Sequence, residues 1–123
     1  MRIRCCSLSL PQDLIPSRLE KLQGRWPVVL DAEYTVLALG QRDGLWYATF
    51  EHKEREMPVS APLALFDLVD ASVSPFWNVR IRAQEVALQP AEFDEEFFCD
   101  DVQERRHDAL ERYRAMKARL DGR

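Results

Sequence analysis

The sequence predicts an α+β fold: an antiparallel sheet of about four to six strands, a C-terminal helix packed on one face, and one short helix near the N-terminus. Three observations predict it. Residues 34–42 and 45–52 are β-prone runs on either side of Asp43-Gly44, a strong hairpin signal. Residues 76–83 alternate apolar and polar side chains. Val102, Ala109, Leu110, Tyr113, Met116 and Leu120 fall at helical spacing. The chain has 123 residues, which suits a single domain.

Residues 2–10 are β-compatible and predict a first strand, in which the adjacent Cys5 and Cys6 point to opposite faces. Pro11 and Pro16 punctuate the chain. Ser17 with Glu20 three residues on is a capping-box pattern, Leu19 and Leu22 give an apolar edge, and Gly24 is a natural stop, so a short helix is expected over 17–23. Residues 26–30 form an extended lead-in, with Pro27 unsuited to a central ladder position.

Two registers are open for the central hairpin. A two-residue Asp43-Gly44 loop, with positive φ at both positions, pairs Leu39 with Ala48, Leu37 with Phe50 and Gln41 with Trp46. Leu37, Leu39, Ala48, Phe50 and Trp46 then share one face. Val36, Ala38, Gly40, Leu45, Tyr47 and Glu51 share the other. A three-residue loop over 42–44 instead opposes Gly40 with Trp46 and Val36 with Phe50. Either register leaves apolar residues on both faces, so material must pack on each side.

The charged residues 53–56 read as a solvated loop. Residues 57–62 are extended, and their two prolines fit an edge or loop. Residues 63–70 read as a short helix or turn, opened by Pro62, that passes into an extended segment. In 76–83, Trp77, Val79, Ile81 and Ala83 lie on one face of a strand and Asn78, Arg80 and Arg82 on its wet face. Residues 85–89 continue it antiparallel and end at Pro90. In the tail, Asp101 with Glu104 predicts an N-cap and its reciprocal acid. Asp101–Arg105 and Asp108–Arg112 are spaced as helical ion pairs. Arg114, Lys117 and Arg119 suit the negative end of the helix, and Gly122 follows as a stop.

Net charge is −4, and the excess acid is C-terminal: residues 1–61 hold eight basic and eight acidic side chains, residues 62–123 nine and thirteen. Such a balance argues against a duplex nucleic-acid footprint, which needs a basic surface. Three cysteines without metal-like spacing suit reduced thiols acting as small apolar residues. The N-terminal apolar run is short and broken, which is no secretory signal, and no run is long enough to span a membrane. A cytoplasmic location follows as the expectation, with no membrane partner.

The most unusual segment is 92–101, where six carboxylates and three phenylalanines fall within ten residues. Carboxylates this dense repel one another unless a cation or basic partner neutralises them. Three readings stand: a solvated helix start pinned by Phe93, Phe97 and Phe98; a docking surface for a basic partner made by Glu92, Asp94, Glu95, Glu96, Asp100 and Asp101; and a divalent-cation site, disfavoured because no glycine-bearing calcium loop or histidine accompanies it. His52 and His107 belong to no motif, so no catalytic residue, metal ligand or cofactor site is assigned. Trp46 and Trp77, with Tyr47 and Phe76, read either as sheet core or as interface anchors, and Arg80 and Arg82 form an exposed basic pair.

The residues Leu45-Trp46-Tyr47, Pro62-Leu63, Phe66, Leu68-Val69-Asp70, Ser74, Phe76-Trp77 and Phe97-Phe98-Cys99-Asp100-Asp101 resemble a family of small bacterial proteins encoded beside polymorphic and contact-dependent toxin genes, where they are taken to be immunity proteins. The resemblance spans residues 34–120. It implies a non-enzymatic cytoplasmic antitoxin, monomer or homodimer, that occludes the active site of one cognate toxin. The acidic segment would steer a basic toxin, and nucleic acid, membrane and cofactor play no part. The alternative is a small ligand-binding domain or enzyme with a pocket between helix and sheet, marked by converging His52, Cys99 or carboxylates.

Overall fold

The computed structural model describes residues 1–42 and 44–122. The chain is α+β, with eight described strands in two antiparallel sheets and helices at the C-terminus. The strands are β1 (Arg2–Cys5), β2 (Glu33–Thr35), β3 (Ala38–Arg42), β4 (Leu45–Glu51), β5 (Pro58–Pro62), β6 (Phe66–Asp70), β7 (Asn78–Arg82) and β8 (Glu85–Gln89). A three-stranded sheet runs β2-β1-β6 and a five-stranded sheet runs β5-β4-β3-β8-β7. The larger sheet falls within the four to six strands that alternation predicts. The smaller one arises because the run 34–42 is divided between sheets. Tyr34 pairs with Ile3, whereas Leu39 pairs with Ala48. Between them Val36 N–H donates to Met1 O at 2.9 Å and Leu37 N–H to Thr49 O at 2.7 Å. Both side chains are buried, so the crossover itself fills the core.

The hairpin takes the two-residue loop register: Leu39 faces Ala48, Gln41 faces Trp46 and Arg42 faces Leu45. Gly44 has the positive φ, +80°, that this turn requires. The matching expectation for Asp43 lies outside the described residues. Leu39, Ala48 and Phe50 are buried on the core face, whereas Ala38 and Tyr47, on the other, are little exposed but line an open recess, so the expected packing layer on each side is found on one face only among the described residues. Phe50 is fully buried, with the Tyr34 and Phe66 rings 4.5 and 5.6 Å from its own. Pro58 and Pro62 sit in β5, an edge strand, opposite Glu51 and Tyr47. An edge leaves one side of the strand free of ladder bonds, where a missing N–H costs nothing.

Residues 63–70 fold as a 3-10 turn, Leu63–Leu65, running into β6. The helix expected over 17–23 is instead a 3-10 run, Ser17–Leu22, with Pro16 and not Ser17 at its N-terminal cap. None of its residues is buried. A single short turn without a packed face cannot recover the cost of helix nucleation. The first strand stops at Cys5, which is buried, while Cys6 is exposed as alternation requires.

The C-terminal helix departs further from expectation. It is broken into α1 (Phe98–Gln103) and α2 (His107–Gly122). Asp101 is not an N-cap; it lies in the last turn of α1. Arg106 N–H donates to Asp101 O at 3.0 Å and Arg105 N–H to Val102 O at 3.1 Å, with Arg105 at φ +63°. That is a Schellman stop, built on arginine where glycine is usual. The expected helical ion pairs therefore do not form as spaced. Arg105 donates to Glu56 O at 2.9 Å, Asp101 pairs with Arg106 at 3.2 Å, and Arg112 turns to Glu95. The apolar stripe holds nonetheless: Val102, Ala109, Tyr113, Met116 and Leu120 are all buried, and Leu110 is half-buried.

Glu56 is the clearest correction to the solvated loop expected over 53–56. Its carboxylate takes Arg114 Nε at 2.8 Å and NH2 at 2.6 Å, and Lys117 lies 3.4 Å away. The loop is thus clamped to α2. The Arg114 guanidinium above all holds the Glu56 carboxyl well below its usual range, at about 2. A depressed carboxyl contributes stability above its unfolded pKa, and that contribution is lost as pH falls through the folded value. Glu56→Gln is therefore expected to cost about 1 kcal/mol at pH 7, after allowing for solvent screening at a partly exposed site. It should also flatten the loss of stability between roughly pH 4.5 and 2. Urea midpoints at pH 7 and pH 3 check both; parallel acid profiles would refute the clamp.

Candidate functional site

The short 3-10 turn Ala91–Asp94 and the start of α1 lay the acidic segment against the body of the protein. Phe98 is buried and the Phe93 ring lies 6.1 Å from it, whereas Phe97 is exposed. The carboxylates find cations within the same chain. Glu92 is held by Arg119, with contacts of 2.9 and 3.0 Å, and its carboxyl is drawn below the ordinary range by that hydrogen bond. Glu95 is gripped at both oxygens by Arg112, which lowers it likewise. Asp94 takes Gln89 Nε2 at 2.6 Å and Arg80 at 3.4 Å. Asp101 takes Arg106. Glu96 and Asp100 are exposed and have no ion pair among the described residues. Four of the six carboxylates are thus structural, and a carboxylate already neutralised by a guanidinium offers little field to an approaching partner.

The aromatic candidates separate. Trp77 belongs to the core: its indole is buried and Nε1–H donates to Leu37 O at 2.8 Å. In this conformation it cannot anchor a partner. Trp46 is 41% exposed. Phe76 is exposed beneath Arg119, whose guanidinium carbon lies 5.4 Å from the ring centroid.

Arg80 and Arg82 stand on β7, the other edge of the larger sheet, and here the structure overturns the expectation of one wet side. Cross-strand pairing sets Val79 beside Leu88 and Ile81 beside Val86. The ladder continues through Gln41 to Trp46, so Ile81, Val86, Gln41 and Trp46 form one row on one face. Val79 is 67% and Ile81 73% exposed. Both faces of β7 are therefore open. The apolar half of its alternation points at solvent because the core cover stops at β3 and β8.

On the opposite face the sheet forms an open recess of ≈ 370 Å³. Gly40 and Ala87 floor it, Tyr47 rises on one side, and Arg42, Arg80 and Arg82 line the rest. Arg42 stacks over Tyr47 with its guanidinium carbon 4.6 Å from the ring centroid. The recess lies on a bare sheet face, not between helix and sheet. A second, smaller crevice of ≈ 240 Å³ between α2 and the strands does contain His52, Glu33, Glu51 and Asp121. Its groups are already engaged: Lys117 with Glu51 at 2.6 Å, Thr35 with Asp121 at 2.6 Å, Lys53 with Glu33 O at 2.6 Å, and His52 Nδ1 accepting from Glu54 N–H at 3.0 Å. Cys99 lies elsewhere, its thiol raised by burial. His107 faces Glu111 at the surface.

Among the described residues no group of three or more His, Cys, Asp or Glu side chains is arranged to hold a metal ion, and no helix is long and apolar enough to cross a membrane. Comparison with protein-family models, with curated proteins and with solved structures returns no match to this chain.

Proposed function

We propose that this chain is a non-enzymatic protein-binding domain that engages its partner through the β7–β8 end of the larger sheet. The observation that carries this is the row Trp46, Gln41, Val86 and Ile81, in which Trp46 and Ile81 are exposed and Val86 is half-buried, with the exposed Val79 beside it. Exposed apolar patches rimmed by charge mark interaction sites, and tryptophan is a favoured hot-spot residue. Burying one such aliphatic side chain against a partner is worth about 1.5–3 kcal/mol. The most concrete form of the reading is an immunity protein that covers a bacterial toxin's active site. Its support is the resemblance set out from residues 34–120. Steering of a basic toxin by the acidic segment is not part of this reading, because Glu92, Asp94, Glu95 and Asp101 are neutralised internally.

The test is protection. Expression of the toxin reading frame beside this one should arrest growth, and co-expression of this chain should restore it. Trp46→Ala with Ile81→Ser should abolish protection while the purified variant keeps the far-UV circular dichroism and cooperative unfolding of the native fold. Absence of toxicity, or full protection by the double variant, would overturn the proposal. The second reading, a small ligand-binding domain, is favoured by the arginine-lined recess on the other face of the same strands.

A further inference from the structure

β7 is the last strand of its sheet, and among the described residues its only ladder partner is β8. The two strands are joined by the two-residue loop Ala83-Gln84, both residues at positive φ. In such a hairpin the flanking pair, Arg82 and Glu85, exchanges both backbone hydrogen bonds, and bonded pairs then alternate along the ladder. Asn78, Arg80 and Arg82 therefore spend their N–H and C=O groups on β8. Val79 and Ile81 turn theirs outward, and no backbone bond closes that side among the described residues. The same two residues carry the most exposed large apolar side chains of the larger sheet. The other face of the strand is basic. Arg82 has no ion pair among the described residues. Arg80 is paired with Asp94 at 3.4 Å, a long contact that a partner carboxylate would share or replace.

We propose that β7 is a docking edge for an extended, acidic segment of a partner protein, which adds as a sixth strand. Alternate carboxylates of that segment would lie beside Arg80 and Arg82, and its intervening apolar residues would cover Val79 and Ile81. Backbone bonds supply affinity in this mode, and alternate side chains supply specificity. The charge pattern selects the occupant. A two-fold copy of β7 paired along its full length would set Arg80 opposite its own image, and like charges directly opposed on a sheet are destabilising. An acidic strand meets the opposite sign at both arginines. Charged side chains also keep an open edge from pairing indiscriminately, so the edge is selective and not merely exposed. The inference rests on the protein-binding reading above and names the chemistry of the partner segment.

The probe is a blocked eight-residue peptide alternating glutamate and valine, titrated at low salt into ¹⁵N-labelled protein. Amide shifts are expected to centre on Val79 and Ile81 and to saturate with a Kd of roughly millimolar or tighter. The lysine–valine counterpart should bind at least about tenfold more weakly, a difference of about 1.4 kcal/mol. Arg80→Glu with Arg82→Glu should reverse that order. Equal binding of the two peptides, shifts confined to another strand, or no saturable shift would overturn the docking edge. So would a dimer of the free chain paired through β7. Loss of protection in cells with peptide binding intact would sink the toxin reading alone. Full protection by the arginine reversal would sink this one alone.

Discussion

Replacing Phe50 with alanine is expected to cost about 3–5 kcal/mol of stability, the largest effect of any single change considered for this protein. Phe50 is fully buried on β4 and stands where the two sheets meet. Its ring packs on Tyr34 of β2 at 4.5 Å and on Phe66 of β6 at 5.6 Å, so its removal opens a cavity that neither sheet can close alone. Domains of this size are typically stable by only about 5–15 kcal/mol, so the variant gives up a large fraction of the total. Urea unfolding checks it: the midpoint should fall sharply while the slope stays that of the native protein. Ile81→Ala, at a residue 73% exposed, serves as the control and should change the unfolding free energy by no more than about 0.5 kcal/mol. Comparable losses for the two substitutions would mean that the sheets are not joined through this ring.

Replacing Ala83-Gln84 with Asn-Gly is expected to stabilise the protein by about 1–2 kcal/mol. Ala83 has φ +49° and Gln84 φ +69°, a left-handed backbone that costs an ordinary side chain about 1–2 kcal/mol. Asparagine and glycine adopt this turn with far less strain, though glycine returns part of the gain through its freer unfolded chain. The turn sets β7 against β8 and so holds the whole proposed docking edge. A raised melting temperature is the readout, with peptide binding at β7 unchanged. A lowered one would mean that Ala83 or Gln84 makes a contact outweighing its backbone strain.

These two sites show where the sequence is readable. The Asp43-Gly44 pair, between two alternating runs, announces a hairpin, and the register with Leu39 opposite Ala48 is one of the two it offers. Ala83-Gln84 announces nothing, because neither residue prefers positive φ. The turn there is imposed by pairing of β7 with β8. The same holds at Arg105, where a left-handed arginine splits a helix whose apolar stripe runs unbroken through Val102 and Tyr113. Gly40 is the opposite case: glycine inside a strand signals a close approach or an open floor, and here it floors the recess.

The candidate site was legible only in its residue types. Density of charge marks Glu92, Asp94, Glu95, Glu96, Asp100 and Asp101, but their partners Arg119, Arg80, Arg112 and Arg106 include residues 14 to 27 positions away. Nothing local says whether a carboxylate will meet a cation from its own chain or wait for one from another. Trp46 and Trp77 look alike in sequence and end on opposite sides of the solvent boundary.

Local chemistry by itself settled the periods: which residues alternate in β7, which share the stripe on α2, and where Gly44 turns the chain. Those follow from backbone geometry and need no distant partner. Which face becomes covered was decided only when the sheets packed. Val79 and Ile81 have the pattern of core residues, yet they face solvent because their strand is the last in its sheet and none of the described elements is laid over its end. Burial is a property of position in the assembled fold, and strand order, unlike alternation, is not written in any one segment.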